Sequence, residues 1–122
     1  MSQTEKKIQN LILDFLNNFL PDSMAVEYYN GGLPACARGS RIIYKKKGKY
    51  RPAGFPDIIW FWRGQAILIE TKVKATGKTK KTYLKPEQRE MHARLIDLGL
   101  EVLVIRSLRE IQEYATSVRN AT

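Results

Sequence analysis

A chain of 122 residues that is 43% hydrophobic can bury one compact core but is too short for two ordinary domains, so residues 1–122 are expected to form a single domain. With 21 Lys and Arg against 12 Asp and Glu, its formal net charge of +9 points to a polyanionic partner. Nucleic acid fits that charge better than a membrane surface, because the lysines sit in turn-like, glycine-containing segments rather than on a basic amphipathic helix.

In chain order, Ile8, Leu11, Ile12, Phe15, Leu16, Phe19 and Leu20 recur at helical spacing, which predicts an amphipathic helix from Ser2 or Thr4 to about Leu20, stopped by Pro21. Glu5 stands three residues before Ile8, on the face of the buried stripe. It is either the acidic member of a capping box, Ser2-Gln3-Thr4-Glu5, or a carboxylate delivered to a site at the helix start. Met24 to Tyr29 is compatible with a short strand, and Asn30 to Pro34 with a loop. Arg41 to Tyr44 and Lys49-Tyr50-Arg51 flank Lys45-Lys46-Lys47-Gly48, suggesting a basic hairpin or projecting loop. Tyr44 and Tyr50 are expected to pack on neighbouring strands, although tyrosines in such a place can stack on bases.

Ile58-Ile59-Trp60-Phe61-Trp62 and Ala66-Ile67-Leu68-Ile69 read as two strands joined by the short turn Arg63-Gly64-Gln65. Gly54-Phe55-Pro56-Asp57 leads into the first, and Glu70-Thr71-Lys72 leaves the second. Antiparallel pairing sets Asp57 and Glu70 side by side at one edge of the sheet. Alternation puts Glu70 and Lys72 on one face and Thr71 on the other. Two carboxylates beside a lysine are the residues needed to hold a hard divalent cation next to a phosphate and to steady an attacking water. Each half has an ordinary structural explanation too: Pro-Asp is a common turn dipeptide, and Glu-x-Lys is a frequent cross-strand ion pair.

The stretch Lys74 to Tyr83 has loop composition. Gly77-Lys78-Thr79 lacks the first glycine of a phosphate-binding P-loop, and no apolar helix begins at Lys78. Pro86 suits a first helical turn, and Leu84, Gln88, Met91, Leu95 and Leu98 mark a helix face that ends at Gly99. Gln88 on that stripe is either an ordinary polar residue at a helix start or a hydrogen-bonding partner for a catalytic lysine, a metal-bound water or a phosphate. His92, one turn later, reads as a partly exposed surface histidine. Val102 to Ile105 marks a buried strand within Glu101 to Arg106, and Ser107-Leu108-Arg109-Glu110 is a capping box that opens a last helix. The order of elements gives an α/β layer with a mixed central sheet.

Charge placement sharpens this reading. Arg41 to Arg51 holds Arg41, Lys45, Lys46, Lys47, Lys49 and Arg51, and Lys72 to Lys85 contributes Lys74, Lys78, Lys80 and Lys81 among its six cations; neither stretch contains an acid. Both blocks flank the Asp57/Glu70 hairpin, as expected if phosphates are gripped on either side of a reactive one. The structural alternative is a pair of solvated loops. The one cysteine, Cys36, cannot form an internal disulfide, and with His92 it cannot supply a Cys/His zinc cluster. Nothing at the N-terminus resembles a signal peptide and no apolar run reaches membrane-spanning length, so a cytoplasmic protein is expected.

With helix, hairpin, Pro56-Asp57, Glu70-x-Lys72, helix and strand in this order, the chain resembles the PD-(D/E)xK nuclease superfamily, and within it the stand-alone VRR-NUC domains of phage and bacteria. The resemblance spans nearly the whole chain, from Glu5 through Gly54-Phe55-Pro56-Asp57 and Glu70-Thr71-Lys72 to Gln88, Leu98-Gly99 and Val102 to Ser107. It implies a restriction-endonuclease-like core in which Asp57 and Glu70 ligate Mg²⁺ or Mn²⁺ and the carbonyl of Thr71 adds a ligand. Lys72 would position the nucleophilic water, Glu5 would complete the site from the first helix, and Gln88 would support it. The implied activity is divalent-metal-dependent DNA endonuclease, similar to the Holliday-junction resolvases that act as homodimers, since symmetric resolution needs two sites about a two-fold axis. The tryptophan-rich run Ile58 to Trp62 suits either the core or that dimer interface. Two other functions remain compatible with the residues: a non-catalytic nucleic-acid-binding module, and a nicking or restriction-like nuclease acting on linear duplex.

Overall fold

The computed structural model describes residues 3–28, 34–38, 41–44, 53–73 and 83–121. Its elements are α1 (Gln3–Phe19), β1 (Ser23–Glu27), β2 (Pro34–Arg38), β3 (Arg41–Tyr44), β4 (Ile58–Trp62), β5 (Gln65–Thr71), α2 (Pro86–Asp97), β6 (Glu101–Ile105) and α3 (Leu108–Asn120). Four strands form a mixed sheet in the order β1-β4-β5-β6, while β2 and β3 pair with each other in a separate two-stranded sheet. The first three strands of the larger sheet are antiparallel, and β6 lies parallel to β5. The architecture is α/β, a mixed four-stranded sheet flanked by three helices. Among the described residues no helix is long and apolar enough to cross a membrane.

Alternation along the central strands assigns the two faces. Ile58, Trp60 and Trp62 of β4 and Ile67 and Ile69 of β5 point to one side, where Ile12 and Leu16 of α1 and Ile111 and Ala115 of α3 close over them. Both tryptophans belong to this core, stacked with ring centroids 5.9 Å apart. Of that run only Phe61 is largely exposed. On the other side Leu68, Met91 and Leu95 form a smaller cluster with Ile59 and Val102, which seats α2 on the sheet. Glu70 and Lys72 share the parity of Leu68, and Asp57 that of Ile59, which pairs with Leu68, so all three lie toward the α2 side.

Local chemistry explains the boundaries. The hairpin turn is the two residues Arg63 and Gly64, both at positive φ (51° and 76°), and Gln65 already pairs with Trp62. Strand β5 runs past its apolar stretch through Glu70 and Thr71, because β6 continues to pair with it there. Asn17 joins α1 to β1 by accepting from the Ala25 N–H at 2.9 Å and donating to the Ala25 carbonyl at 3.1 Å. Ser107 caps α3 as expected, accepting from the Glu110 N–H. The Glu110 carboxylate, however, accepts from the Arg106 N–H one residue ahead of the cap.

Several sequence expectations are corrected. The partner of Arg41–Tyr44 is Pro34–Arg38, which the loop reading of Asn30 to Pro34 did not foresee. The basic hairpin or projecting loop expected around Lys45 to Arg51 lies outside the described residues. In α1 the buried face is centred on Gln9, Ile12 and Leu16, leaving Leu11 exposed. In α2 it runs through Met91, His92 and Leu95, while Leu98 at the helix end is 77% exposed.

Candidate active site

The β4–β5 register places Ile58 opposite Ile69, so Asp57, the residue before β4, comes opposite Glu70. Three contacts fix the aspartate. Its carbonyl accepts from the Tyr28 N–H at 2.7 Å, continuing the β1–β4 ladder by one residue. Its Oδ2 accepts from the Thr71 N–H at 2.9 Å, which ties it across to the end of β5. Its side chain is also hydrogen-bonded to Glu70. Glu70 is 2% and Lys72 6% exposed, and the Lys72 N–H donates to the Ile105 carbonyl, so β6 holds the lysine's backbone in place.

Two carboxyls in this environment cannot both carry full charge. Burial, the hydrogen bond to Glu70 and the Glu70 charge push the Asp57 carboxyl up to about 7, against the opposing pull of the Thr71 amide and the Lys72 ammonium. Burial also raises Glu70, aided by the charge of Glu5, while the Asp57 hydrogen bond and Lys72 counter it. Burial and proximity therefore favour one proton held by the pair toward neutral pH. A cation at the pair would take over the compensating role of that proton.

His92 is the residue that sequence reasoning misplaced. It is 6% exposed rather than at the surface, and its Nε2 lies 3.3 Å from Glu70 Oε1. Burial and the Lys72 charge hold its pKa below the usual imidazole value, with Asp57 pulling the other way. The signal in the sequence was its place next to Met91 and three residues before Leu95, which puts it on the buried face of α2 once that face is centred correctly.

The other nominated residues are placed as follows. Glu5, half-buried in the first turn of α1, is close enough to Glu70 for its charge to raise that carboxyl's pKa. Gln88 turns back to the helix start, where its Oε1 accepts from the Lys85 N–H at 2.9 Å. Thr71, 1% exposed, gives its N–H to Asp57. Arg41 opens β3, but its side chain lies outside the described residues, as do Lys45, Lys46, Lys47, Lys49, Arg51, Lys74, Lys78, Lys80 and Lys81.

Gly54 fits the site loop against α2. Its φ is +81°, and a Cβ there would come 2.4 Å from the Glu87 carbonyl oxygen and 2.8 Å from the Gln88 nitrogen. The backbone approaches the first turn of α2 too closely for any side chain. The segment that carries Asp57 and the helix that carries His92 are therefore seated directly on each other.

Among the described residues no group of three or more His, Cys, Asp and Glu side chains is disposed to hold a metal ion. The donor set at hand is the Asp57–Glu70 pair. Mg²⁺ is commonly held by one or two carboxylates with water filling its other positions, so two acidic oxygens and a strand-end carbonyl are chemically sufficient. No protein-family model matches the chain, and no curated protein or solved structure is found to be similar to it.

Proposed function

We propose that the protein is a divalent-metal-dependent DNA endonuclease, with Asp57 and Glu70 as ligands for Mg²⁺ or Mn²⁺ and Lys72 beside the attacking water. The observation that carries this reading is the buried Asp57–Glu70 pair, brought together at adjoining ends of the two central strands, with the Lys72 charge acting on both. A solvated cross-strand ion pair would have no reason to bury two carboxyls at a mutual cost. Such a cost is retained where the pair serves a ligand or a reaction. The resemblance to PD-(D/E)xK nucleases, the two basic blocks flanking the hairpin and the net charge of +9 support DNA as the substrate.

A bound cation supplies Lewis acidity toward the phosphate and a more acidic water. The chain's own contribution is positional. Asp57 and Glu70 would hold the cation, which would supply the charge compensation that burial denies their carboxylates. Lys72, buried and with its N–H held by the Ile105 carbonyl, would orient the attacking water through its ammonium. Glu5 adds negative charge from α1. As a homodimer, two such sites acting on opposite strands resolve a four-way junction.

The test is cleavage of a four-way junction and a matched linear duplex with Mg²⁺, Mn²⁺ or chelator, comparing wild type with Glu70→Ala. Symmetric, metal-dependent junction cleavage lost in the variant is the expected result. Cleavage of linear duplex alone replaces the junction assignment with a nicking or restriction-like one. Salt-sensitive binding by both proteins without any cleavage overturns the enzyme reading in favour of a binding module.

A further inference from the structure

We propose that His92 is a positioning residue that fixes the orientation of the Glu70 carboxylate by donating a hydrogen bond from Nε2 to Oε1. This rests on the reading of Asp57 and Glu70 as cation ligands and assigns a role to a residue which that reading leaves unused. The two carboxyls are held in parallel fashion. Asp57 has Oδ2 engaged by the Thr71 N–H at 2.9 Å, and Glu70 has Oε1 engaged by His92 Nε2 at 3.3 Å. In each case one carboxyl oxygen is held by a protein group on a fixed element. Both members of the His92–Glu70 contact are almost fully buried, with side chains 7% and 2% exposed, so water does not compete for the hydrogen bond.

The helix that delivers His92 is itself tightly seated. Met91 and Leu95, its neighbours on the buried face, lock into the cluster around Leu68, and the backbone of Gly54 abuts the first turn. A donor on a fixed helix, aimed at one oxygen of a buried carboxylate, is how outer residues set the direction of a metal ligand; loss of such a partner typically weakens metal affinity by about 10–100-fold. A merely space-filling histidine would be replaceable by any side chain of similar volume.

The test uses the full chain and Mn²⁺ alone, comparing wild type, His92→Gln and His92→Leu by calorimetric titration, with circular dichroism as a check of folding. Glutamine places an N–H close to the position of Nε2, whereas leucine fills the space without a donor. The expected result is a loss of about 10-fold or more in Mn²⁺ affinity for His92→Leu and near wild-type affinity for His92→Gln. Unchanged affinity in His92→Leu overturns the proposal, and so does an equal loss in both variants. Should His92→Leu fail to fold, ¹⁵N NMR of the wild-type imidazole decides: Nε2 must carry a proton at neutral pH, and an Nδ1–H tautomer with bare Nε2 overturns the assignment. Wild type that binds Mn²⁺ but cuts no DNA removes the nuclease reading and leaves this one standing; wild type that binds no Mn²⁺ overturns both.

Discussion

Replacing Asp57 by Asn reads the shared proton directly, without reference to catalysis. The amide can keep the bond from the Thr71 N–H through its oxygen and offer an N–H to Glu70, mimicking the protonated carboxyl permanently. In the wild type the Asp57 carboxyl moves from its usual 3.8 to about 7 on folding. The folded state therefore binds the proton more tightly than the unfolded chain does. This contribution to stability is fully present below the unfolded value and is lost as pH rises through the folded one. A shift of that size corresponds to roughly 4 kcal/mol at most, of which about 3 kcal/mol falls between pH 5 and 8. Burial holds His92 low, so its effect has the opposite sign, with stability lost as pH falls through the histidine range; Asp57 partly offsets it in the wild type, so the comparison is read above that range, toward pH 8. Urea denaturation from pH 5 to 9 in chelator should show metal-free wild type losing stability against Asp57→Asn, with the variant the more stable of the two above pH 8. Added Mg²⁺ should restore the wild type at pH 8 and leave the variant unchanged. Parallel pH profiles would refute the shared proton.

Mn²⁺ affinity of the wild type should rise as pH increases from 6 to 8, because the proton near 7 on Asp57 competes with the cation; titrations at fixed ionic strength check this, and a flat profile would oppose it. Gly54→Ala combines a strained φ with a Cβ 2.4 Å from the Glu87 carbonyl oxygen, whereas a Cβ at Gly64 (φ +76°) meets nothing within 4 Å. Urea denaturation should give a loss of about 1 kcal/mol for Gly64→Ala and at least twice that for Gly54→Ala. Asn17→Ala removes both side-chain bonds to the Ala25 backbone and should cost roughly 1–3 kcal/mol by the same assay. Ser107→Ala, which deletes the cap of α3, should cost about 1 kcal/mol and lower the helix signal modestly in circular dichroism.

Strong periodicity and turn chemistry made most of this fold legible. The β4–β5 hairpin, α1 stopped at Pro21, α2 opened by Pro86 and the α3 cap at Ser107 all follow from residues whose local preference agrees with the final packing. The juxtaposition of Asp57 and Glu70 followed from the same hairpin, since antiparallel pairing leaves little freedom once the turn is placed. What escaped depended on which neighbours a face meets. His92 looked like a surface residue because a polar ring on a weakly amphipathic helix is usually solvated, whereas here it lies on the packed face of α2 beside Glu70. Gln9 escaped for the same reason: its burial is supported by a side-chain bond to Glu27, a partner eighteen residues away. Strand β2 was hidden because Pro34-Ala35-Cys36-Ala37-Arg38 has little β-propensity of its own and is fixed by pairing with β3.

The measurement that bears most directly on the proposed chemistry is single-turnover cleavage of labelled four-way junction DNA by wild type, Asp57→Asn and Glu70→Gln in Mg²⁺. Each protein is used at a concentration where gel shift in chelator shows equal occupancy of the DNA. The expected result is metal-dependent cleavage by the wild type and a loss of at least about 100-fold in both variants, the scale on which removal of charge stabilisation acts. Cleavage by either variant at the wild-type rate would contradict the assignment of the Asp57–Glu70 pair as the catalytic centre.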